Sequence, residues 1–524
     1  MSNKFYITTP IYYVNDNPHI GHTYTTVASD VLARFHRMEG EEVFFATGTD
    51  EHGVKIQEKA DQAGKAPQAW ADEVSARFQF AWDELNISQN RFIRTTEAEH
   101  KKAVQKALQY MYDQGDIYLG EYEGLYCKGC EQYKNKVDLV EGKCPDHGVE
   151  PELVKEKCYM FKMSKYTEQI KEAIENDDLK IRPEERKNEI LSFYNREGLH
   201  DISFSREKVK WGVPLPWDES HTAYVWSDAF LNYLTILDWD GTAGKQPKMW
   251  PADLQIMSKD ILRVHATIWP AMLLSLGLDL PREMFIHGFF LVEGRKMSKS
   301  LGNVVSPGEL KEKYGVDGTR YLLLSAAVFG RDGDISRDYF EEKYNADLAN
   351  GIGNLVSRVL SMTGKYFDSK IPENNKEKET LIPNRILEKY KTGDSEDSAF
   401  EKLFGREVEI YEDLFKDLKL DQTLSLINDL TGIIDGYINE YEPFKLIKED
   451  EEKTASVLYN CLESIRIIAW LTWPFMPETA EKIWQALGLD PAEEMNRPFK
   501  KGVKWGQLKA GSKIKKGEPL FPRL

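Results

Sequence analysis

Two short polar runs lie far apart in this chain of 524 residues, and both are suited to phosphate chemistry. They are His19-Ile20-Gly21-His22 and Lys296-Met297-Ser298-Lys299-Ser300. Imidazoles at a helix N-terminus can donate to a phosphate that the backbone N–H groups and the helix dipole already favour, and a glycine lets a nucleotide approach the backbone. Lysines on a loop can neutralise charge that develops as pyrophosphate leaves. The two runs together predict a site for the phosphates of ATP.

The elements around these runs predict how they are positioned. A strand-like run at Phe5–Thr9 and a turn at Pro10–Pro18 precede the first run, which opens a helix with Val27, Val31, Leu32 and Phe35 on one face. A second strand is expected at Val43–Thr47, shortly before Asp50. Strand, helix and strand in this order indicate a parallel βαβ unit, in which ligands gather beyond the carboxyl ends of the strands. The lysine run follows a third expected strand, Met284–His287, and is therefore expected to be an exposed loop.

The middle of the chain interrupts this pattern. Residues 115–215 carry turns, cysteines and charged strands, and we expect an insertion between two halves of one nucleotide-binding fold. The parallel pattern is expected to resume with strands at Ala223–Trp226 and Leu254–Met257. After about Tyr314 the pattern is helical, since apolar residues recur at helical spacing at Leu348, Ile352, Leu355, Val356 and Leu360, and the polar stretch 368–397 is expected to be a loop or linker.

The cysteines have the spacing of a metal site. Cys127-x2-Cys130 is followed, after thirteen intervening residues, by Cys144-x2-His147. The two pairs supply three thiolates and one imidazole, the ligand set of a four-coordinate structural zinc. Four protein ligands leave no open position for catalysis. The remaining two, Cys158 and Cys461, have no partners at such spacing and are expected to be ordinary buried residues.

Composition excludes several classes of protein. The chain is 41% apolar and 30% charged, with no apolar run near the roughly 20 residues of a membrane span, and its length allows about three or four domains. No basic and apolar leader is apparent, so the cytoplasm is the expected compartment. A net charge of −17 argues against a general nucleic-acid coat, although it leaves room for a local basic groove.

These residues resemble those of class I aminoacyl-tRNA synthetases, and most closely those of bacterial methionyl-tRNA synthetases, nearly from end to end. The two phosphate runs are the hallmark motifs of the class, so the choice of methionine rests on other segments. Those segments are Pro10–Tyr13, Tyr224–Ala229 running on to Tyr233, Lys259–Ile261 with His265 and Trp269–Met272, and Pro474–Ala480.

The resemblance implies an α/β fold with a Rossmann-type catalytic domain, a zinc-binding connective insertion and an α-helical anticodon-binding domain. The boundaries that follow are the two catalytic halves at 1–114 and 216–314, the insertion at 115–215, a stem-contact region at 315–370 and the anticodon domain at 371–524. It also implies ligation of methionine to elongator and initiator tRNA(Met), with ATP accompanied by Mg²⁺. Since no C-terminal tRNA-binding extension of the kind found in dimeric relatives is recognised, a monomer is expected.

The resemblance further implies roles for individual residues. The catalytic residues would be His19, His22, Lys296 and Lys299. ATP would also contact Gly21, Lys259, Asp260 and Ser298. Methionine would bind among Ile11, Tyr13, Trp226, Ala229, Tyr233 and His265, with its ammonium at Asp50. The anticodon would be read by Asn354, Arg358 and Phe444.

A mostly aromatic pocket suits a polarizable thioether, and a hydroxyl or imidazole near the sulfur is expected to be a weak donor. Three positions depart from the family pattern. Val264 stands where an aromatic residue is frequent, Ser258 replaces a glycine, and Phe444 replaces a tryptophan.

Three alternatives remain beside this interpretation: another class I synthetase, a nucleotidyltransferase of the same fold that does not bind RNA, and a catalytically silent tRNA-binding paralogue. The insertion of roughly 100 residues is too small for the editing domain of the leucine, isoleucine and valine enzymes. All four zinc ligands lie within it, which disfavours a cysteine-specific enzyme. The helical C-terminal half disfavours the nucleotidyltransferase, and the intact histidines and lysines disfavour the silent paralogue.

Overall fold

A central parallel sheet and a C-terminal group of helices make up most of the chain. The computed structural model describes residues 4–127, 132–134, 139–145, 148–207, 209–292, 294–296, 305–375, 380–389 and 399–524. Its strands are β1 (Lys4–Thr8), β2 (Tyr12–Tyr13), β3 (Glu42–Asp50), β4 (Arg91–Arg94), β5 (Ile117–Cys127), β6 (Gln132–Lys134), β7 (Glu152–Phe161), β8 (Lys180–Arg182), β9 (Ile202–Ser203), β10 (Ser205–Arg206), β11 (Pro214–Leu215), β12 (Asp218–Ala223), β13 (Leu254–Ser258), β14 (Glu283–His287), β15 (Phe290–Val292), β16 (Arg295–Lys296) and β17 (Gly333–Ile335).

The helices connect these strands in the N-terminal half and form most of the C-terminal half. They are α1 (Ile20–Met38), α2 (Val54–Gln62), α3 (Pro67–Glu84), α4 (Ala98–Asp113), α5 (Thr167–Glu175), α6 (Glu184–Arg196), α7 (Val225–Ala229), α8 (Asn232–Thr235), α9 (Leu262–His265), α10 (Ile268–Ser275), α11 (Pro307–Ser325), α12 (Arg337–Lys343), α13 (Gly353–Tyr366), α14 (Asn384–Lys389), α15 (Phe400–Lys416), α16 (Leu420–Tyr441), α17 (Pro443–Leu446), α18 (Glu451–Thr472), α19 (Pro477–Ala486), α20 (Pro491–Met495) and α21 (Phe499–Gly502). Tight 3₁₀ turns at Met163–Tyr166 and Lys259–Ile261 and a π-helical segment at Tyr344–Ile352 complete them.

The central sheet has the main order β4-β3-β1-β13-β14-β8, and every pair in it is parallel. The short strand β2 pairs with the end of β3, where Tyr13 faces Asp50 in the register. This confirms the predicted parallel α/β fold. The carboxyl ends of β1, β3, β13 and β14 therefore meet at one edge, and the residues that follow them can share a site.

Helix α1 packs between the sheet and the C-terminal helices. Fifteen of its 19 residues are buried, more than the predicted single apolar face requires. Phe35 explains part of this burial, because its ring stacks on Phe415 of α15 with centroids 4.0 Å apart. The helix is thus in contact with both halves of the molecule.

The region 115–215 contains one small antiparallel sheet, ordered β6-β5-β7-β9, and two strands of a second, β10-β12-β11, whose middle strand β12 lies beyond residue 215. It also contains β8, which pairs in parallel with β14 of the central sheet through Lys180–Glu283 and the two residue pairs that follow. The chain therefore returns to the central sheet once within the expected insertion, and the boundaries at 115 and 215 stay predictions.

The expected strand at Ala223–Trp226 was a wrong prediction. Antiparallel β12 ends at Ala223, and the helical turn α7 begins two residues later. A four-residue apolar run cannot separate a strand from a buried helix by periodicity. Here the Ser227 hydroxyl donates to the Tyr224 carbonyl at 2.7 Å and closes the turn.

A buried cluster joins the C-terminal helices to α1. The guanidinium of Arg320, on α11, donates to the carbonyls of Pro474 and Phe475 and to the carboxylate of Asp30 on α1. Asp30 also accepts from Arg34 at 2.8 Å. No helix in the described part of the chain is long and apolar enough to cross a membrane.

Candidate active site

The two predicted phosphate-binding histidines lie at the N-terminus of α1 and form its cap. His19 Nδ1 accepts from the Gly21 N–H at 3.0 Å, and His22 Nδ1 accepts from the His19 N–H at 3.3 Å. The rings stack with centroids 3.8 Å apart. Because each Nδ1 is an acceptor, the neutral rings carry their protons on Nε2. Both imidazoles are therefore oriented as Nε2–H donors at the positive end of the helix dipole.

Burial and the neighbouring His19 ring hold the pKa of His22 well below its ordinary value. The ring is consequently neutral and donates as a dipole. Gly21 has a role that the sequence did not reveal, because a Cβ there would lie 2.9 Å from Cε1 of His19. Absence of a side chain at this position makes room for the stacked imidazole itself.

The second phosphate run is described only in part. Lys296 is the last residue of β16, whereas Met297, Ser298, Lys299 and Ser300 lie outside the described residues. The chain is described again from Val305, whose carbonyl accepts from the Ile20 N–H at 3.2 Å. Val305, five residues after the end of the lysine run, thus pairs with the first residue of α1.

Lys259, predicted to bind ATP, lies just beyond β13 in an ion pair that the sequence did not predict. Its Nζ is 2.8 and 2.6 Å from the two carboxylate oxygens of Asp332 and lies 4.7 Å from the centre of the Phe289 ring. Although partial burial opposes ionisation, the hydrogen bonds from Lys259 and from the Phe289 N–H lower the pKa of Asp332. Gly288 allows the close approach, since a Cβ there would lie 2.3 Å from the backbone of Arg331 and Asp332.

Asp260, the next predicted nucleotide contact, accepts a hydrogen bond from the Ser258 hydroxyl. Ser258 is the position that departs from the family glycine, so the departure adds a donor for this carboxylate. Lys259 and Asp260 both belong to the 3₁₀ turn that follows the central strand β13. Their placement at the carboxyl edge of the sheet agrees with the predicted site.

The predicted methionine residues lie on β2 and the residue before it, on β3 and on the short helices α7, α8 and α9. Tyr13 and Asp50 are register partners at the ends of β2 and β3, and Trp226 and Ala229 share α7. Ile11 and Trp226 are partly buried against the apolar cluster that contains Tyr233, which is 2% exposed. The indole of Trp226 lies edge-on to the ring of His265, with centroids 6.1 Å apart.

The hydrogen-bond directions in this pocket are fixed by His265. Its Nδ1 lies 2.9 Å from the Ile261 carbonyl and must donate to it, so Nε2 accepts from the Tyr233 hydroxyl at 2.9 Å. Burial lowers the pKa of His265 to about 4, which keeps the ring neutral. The expected hydroxyl or imidazole donor to a thioether is therefore already engaged. Val264, which precedes His265 on α9, is buried at 7% exposure.

A buried network beside this pocket was missed by the sequence analysis. Asp228 accepts from His52 Nδ1 at 2.6 Å and from His100 Nε2 at 2.9 Å. The other ring nitrogen of His100 lies 2.7 Å from the Thr235 hydroxyl. Although burial opposes ionisation, the two imidazoles hold the pKa of Asp228 well below its ordinary range. The one signal in the sequence was an aspartate inside an otherwise apolar and aromatic run.

The turn that carries Asp50 and His52 is held from several sides. Glu51 is fully buried and accepts from Arg94 Nε at 2.7 Å and from the Thr49 hydroxyl at 2.8 Å. The Trp211 indole donates to the Glu51 carbonyl at 2.5 Å. Asp50, the last residue of β3, is therefore followed by a turn that several hydrogen bonds hold in place, as a binding site for an ammonium requires.

Two of the four predicted zinc ligands lie within the residues that the structure describes. Cys127 at the end of β5 and Cys144 are both buried, and the Gly148 N–H donates to the Cys144 carbonyl at 2.7 Å. Cys130 and His147 lie outside the described residues. Within the described ranges no group of three potential ligands is present. Cys158 and Cys461 are fully buried, as predicted.

The predicted anticodon residues lie on the C-terminal helices. Asn354 is exposed at the start of α13, one turn before Arg358. Arg358 is bound to Asp435 and, at 2.9 Å, to Asn439 on α16. Phe444 follows the end of that helix on α17 and is 47% exposed, which leaves its ring available for stacking.

Comparison with known proteins assigns relatives to both halves of the chain. Residues 5–151 and 146–360 match the family described as class I tRNA synthetases (M), and residues 387–524 match the anticodon binding domain of methionyl tRNA ligase. A methionine–tRNA ligase of Clostridium acetobutylicum is 45% identical over 527 residues, covering 99% of this chain and 78% of that protein. The enzyme of Streptomyces coelicolor is 41% identical and covers 100% of this chain and 97% of the relative.

A solved structure has the same fold over its whole length. The methionyl-tRNA synthetase of Mycobacterium tuberculosis in complex with methionyl-adenylate superimposes with a TM-score of 0.90 at 38% identity. The alignment covers 100% of both chains. A free-state structure of the same enzyme has a TM-score of 0.83.

Proposed function

Because the chain belongs to the methionyl-tRNA synthetases of class I, we propose that the residues gathered at the carboxyl edge of its sheet ligate methionine to tRNA in two steps. In the first, the methionine carboxylate attacks the α-phosphate of ATP and pyrophosphate leaves. In the second, a ribose hydroxyl at the 3′ end of tRNA takes the methionyl group from the adenylate. No covalent intermediate with the enzyme is needed.

The cap of α1 is the observation that carries the phosphate assignment. His19 and His22 direct Nε2–H donors from the N-terminus of a buried helix, and Gly21 leaves space for the rings. Neutral donors of fixed orientation stabilise charge without reorganising during the reaction. Lys296 and Lys299 would neutralise the departing pyrophosphate, with Ser298 on the same run. The bond between Ile20 and Val305 supports this role, because it places a residue five positions after the lysine run at the start of α1.

The nucleotide would lie along the turn after β13. Asp260 and Lys259 are the polar groups there, and Lys259 would leave or share its ion pair with Asp332 when it meets a phosphate. Mg²⁺ accompanies ATP mainly through phosphate oxygens. Holding these groups in place is the protein's main contribution to phosphoryl chemistry.

Methionine would bind with its ammonium at Asp50 and its side chain between Trp226 and the pair formed by Tyr233 and His265. Because the Tyr233 hydroxyl and the His265 imidazole are hydrogen-bonded to each other, they would present polarizable rings of fixed orientation to the methionine thioether. A bulkier or charged side chain would break the Tyr233–His265 bond, whose buried partners would then be unpaired. Ile11, Tyr13 and Ala229 complete the proposed wall.

Two further assignments concern the insertion and the helical domain. Cys127, Cys130, Cys144 and His147 would hold one structural zinc, and the buried positions of Cys127 and Cys144 support this. Asn354, Arg358 and Phe444 would contact the anticodon, since unpaired bases are read by edge hydrogen bonds and aromatic stacking. Use of both elongator and initiator tRNA(Met), the monomeric state and the cytoplasmic location stay predictions of the sequence.

The experiment that tests this proposal is ATP–pyrophosphate exchange with each of the twenty amino acids in the absence of tRNA. Exchange with methionine alone would support both the chemistry and the pocket. Exchange with another amino acid would retain the chemistry and reject the pocket. Absence of exchange, with binding of tRNA(Met) intact, would favour a silent paralogue. Charging of elongator and initiator transcripts then tests the second step.

A further inference from the structure

The network around Asp228 connects the walls of the proposed methionine site. Asp228 shares α7 with Trp226 and Ala229, and its partner His52 follows Asp50 by two residues. His100 belongs to α4, and Thr235 ends the helix that carries Tyr233. The Asp228 carboxylate therefore links α7, the end of β3 and, through His100, helix α8. Each of these three elements carries a side chain that would contact methionine.

The Tyr13 side of the proposed methionine site is connected to this network through a backbone carbonyl. The hydroxyl of Tyr13 donates to the carbonyl of His52 at 3.0 Å. A displacement of His52 would therefore move Tyr13 and the adjoining Asp50 together. The His52 ring itself lies edge-on to Trp211, with centroids 5.4 Å apart, which limits the directions it can take.

The chemistry of the network argues against a role in stability alone. Asp228, His52 and His100 are 1%, 3% and 1% exposed, and burial of a carboxylate carries a desolvation penalty that its partners must offset. Apolar side chains of similar volume would fill this space at comparable stability. A carboxylate that accepts from two N–H donors also fixes orientation, because each hydrogen bond fixes the rotation of one imidazole ring.

From these contacts we propose that Asp228 is a positioning residue of the methionine subsite, which acts through His52 to hold Asp50 against the Trp226 wall. The inference rests on the proposed function. It predicts that loss of the carboxylate weakens methionine binding selectively, because displacements of about 1 Å at a binding wall are costly. The phosphate-binding cap of α1 shares no bond with Asp228 among the described contacts and should be unaffected.

The test is ATP–pyrophosphate exchange with the full-length enzyme and Asp228→Asn. The amide keeps the size of the side chain but cannot accept from both imidazoles without one ring reversing its tautomer. We expect the KM for methionine to rise about tenfold or more, and the KM for ATP to change less than about twofold. Equal rises in both constants, or no rise in either, would overturn the proposal.

Asp116→Asn is the matched control. Asp116 is 4% exposed and accepts from Tyr166 at 2.6 Å and from Ser275 at 2.8 Å, yet it contacts none of the proposed methionine residues. A role in stability alone would make the two variants alike, with lower thermal midpoints and unchanged KM for methionine. A selective rise in Asp228→Asn only would support positioning.

A gentler variant covers the case in which Asp228→Asn does not fold. Thr235→Val removes the hydroxyl that orients His100 and keeps the volume of the side chain. A smaller but still methionine-selective rise in KM, about threefold, is expected. An unchanged KM in this variant would then overturn the proposal. Wild-type enzyme is assayed first, because its failure to exchange with methionine would reject the proposed function and not this inference alone.

Discussion

Arg320 and Asp30 form an ion pair in which both side chains are fully buried, with Nη2 and Oδ2 2.7 Å apart. The same guanidinium donates to the carbonyls of Pro474 and Phe475. Asp30 lies on α1, the helix that is capped by His19 and His22, for which phosphate binding is proposed. A single side chain thus joins that helix to the C-terminal domain.

Arg320→Met is expected to destabilise the protein by about 3–5 kcal/mol, because it removes a buried ion-pair partner of Asp30 and leaves the Pro474 and Phe475 carbonyls without their guanidinium donor. Thermal unfolding followed by circular dichroism measures the effect. Arg196→Met is the control, since its pair with Glu197 is at the surface and should be worth less than about 1 kcal/mol. Similar midpoints for the two variants would contradict the role given to Arg320.

Tyr233→Phe is expected to raise the KM for methionine about tenfold in ATP–pyrophosphate exchange. The change leaves Nε2 of His265 as a buried acceptor without its donor, which costs about 1–3 kcal/mol. Tyr194→Phe also removes a buried hydroxyl, one that donates to the Ala266 carbonyl at 2.8 Å, but outside the proposed pocket. The idea fails if both variants bind methionine equally well.

Lys299→Ala is expected to lower the rate of adenylate formation and to leave methionine affinity nearly unchanged, because the proposed contact strengthens only as pyrophosphate leaves. Single-turnover kinetics separate the two quantities. Lys102→Ala, a surface lysine paired with Glu99, serves as the control. Equal losses in rate and affinity would be inconsistent with a transition-state role.

Acid is expected to destabilise the fold through two buried histidines. Burial lowers the pKa of both His265 and His287 to about 4, whereas the unfolded chain titrates near 6.5. Between these values the unfolded state binds protons that the folded state excludes, so stability falls as pH falls from about 6.5 to about 4. Each ring contributes on the order of 3 kcal/mol at the lower limit.

Thermal midpoints measured from about pH 7 to about pH 4.5 test this expectation. His287 is suited to the test, because its bonds to Thr25 and to the Gly288 carbonyl lie outside the methionine pocket. His287→Gln should reduce the slope of stability against pH. His200→Gln alters an exposed ring and should leave it unchanged. A slope unaffected by His287→Gln would refute the assignment.

Zinc content should be one ion per chain, and Cys127→Ser should lower it sharply. A hydroxyl is a poor replacement for a thiolate ligand, so loss of metal is also expected to loosen the insertion. Plasma mass spectrometry measures the content. Cys158→Ser, at another buried cysteine of the same sheet, should retain the ion. Equal zinc in both variants would rule out Cys127 as a ligand.

Sequence patterns predicted the elements that have long periodic signals. The predicted helix after His19 is present, and the strands predicted at Phe5–Thr9 and Val43–Thr47 are observed at Lys4–Thr8 and Glu42–Asp50. Ala223–Trp226 was misassigned because it is short. The bonds from Asp228 to His52 and His100 were missed because 176 and 128 residues separate the partners, and only the folded chain brings them together.

The cap of α1 has a thermodynamic consequence for the proposed binding of ATP. The hydrogen bonds of His19 and His22 that cap the N-terminus of α1 also immobilise both imidazole rings. The rotational entropy of those rings is therefore lost once, when the chain folds, and not again at each encounter with a nucleotide. Formation of the helix therefore contributes to the proposed affinity for the phosphates.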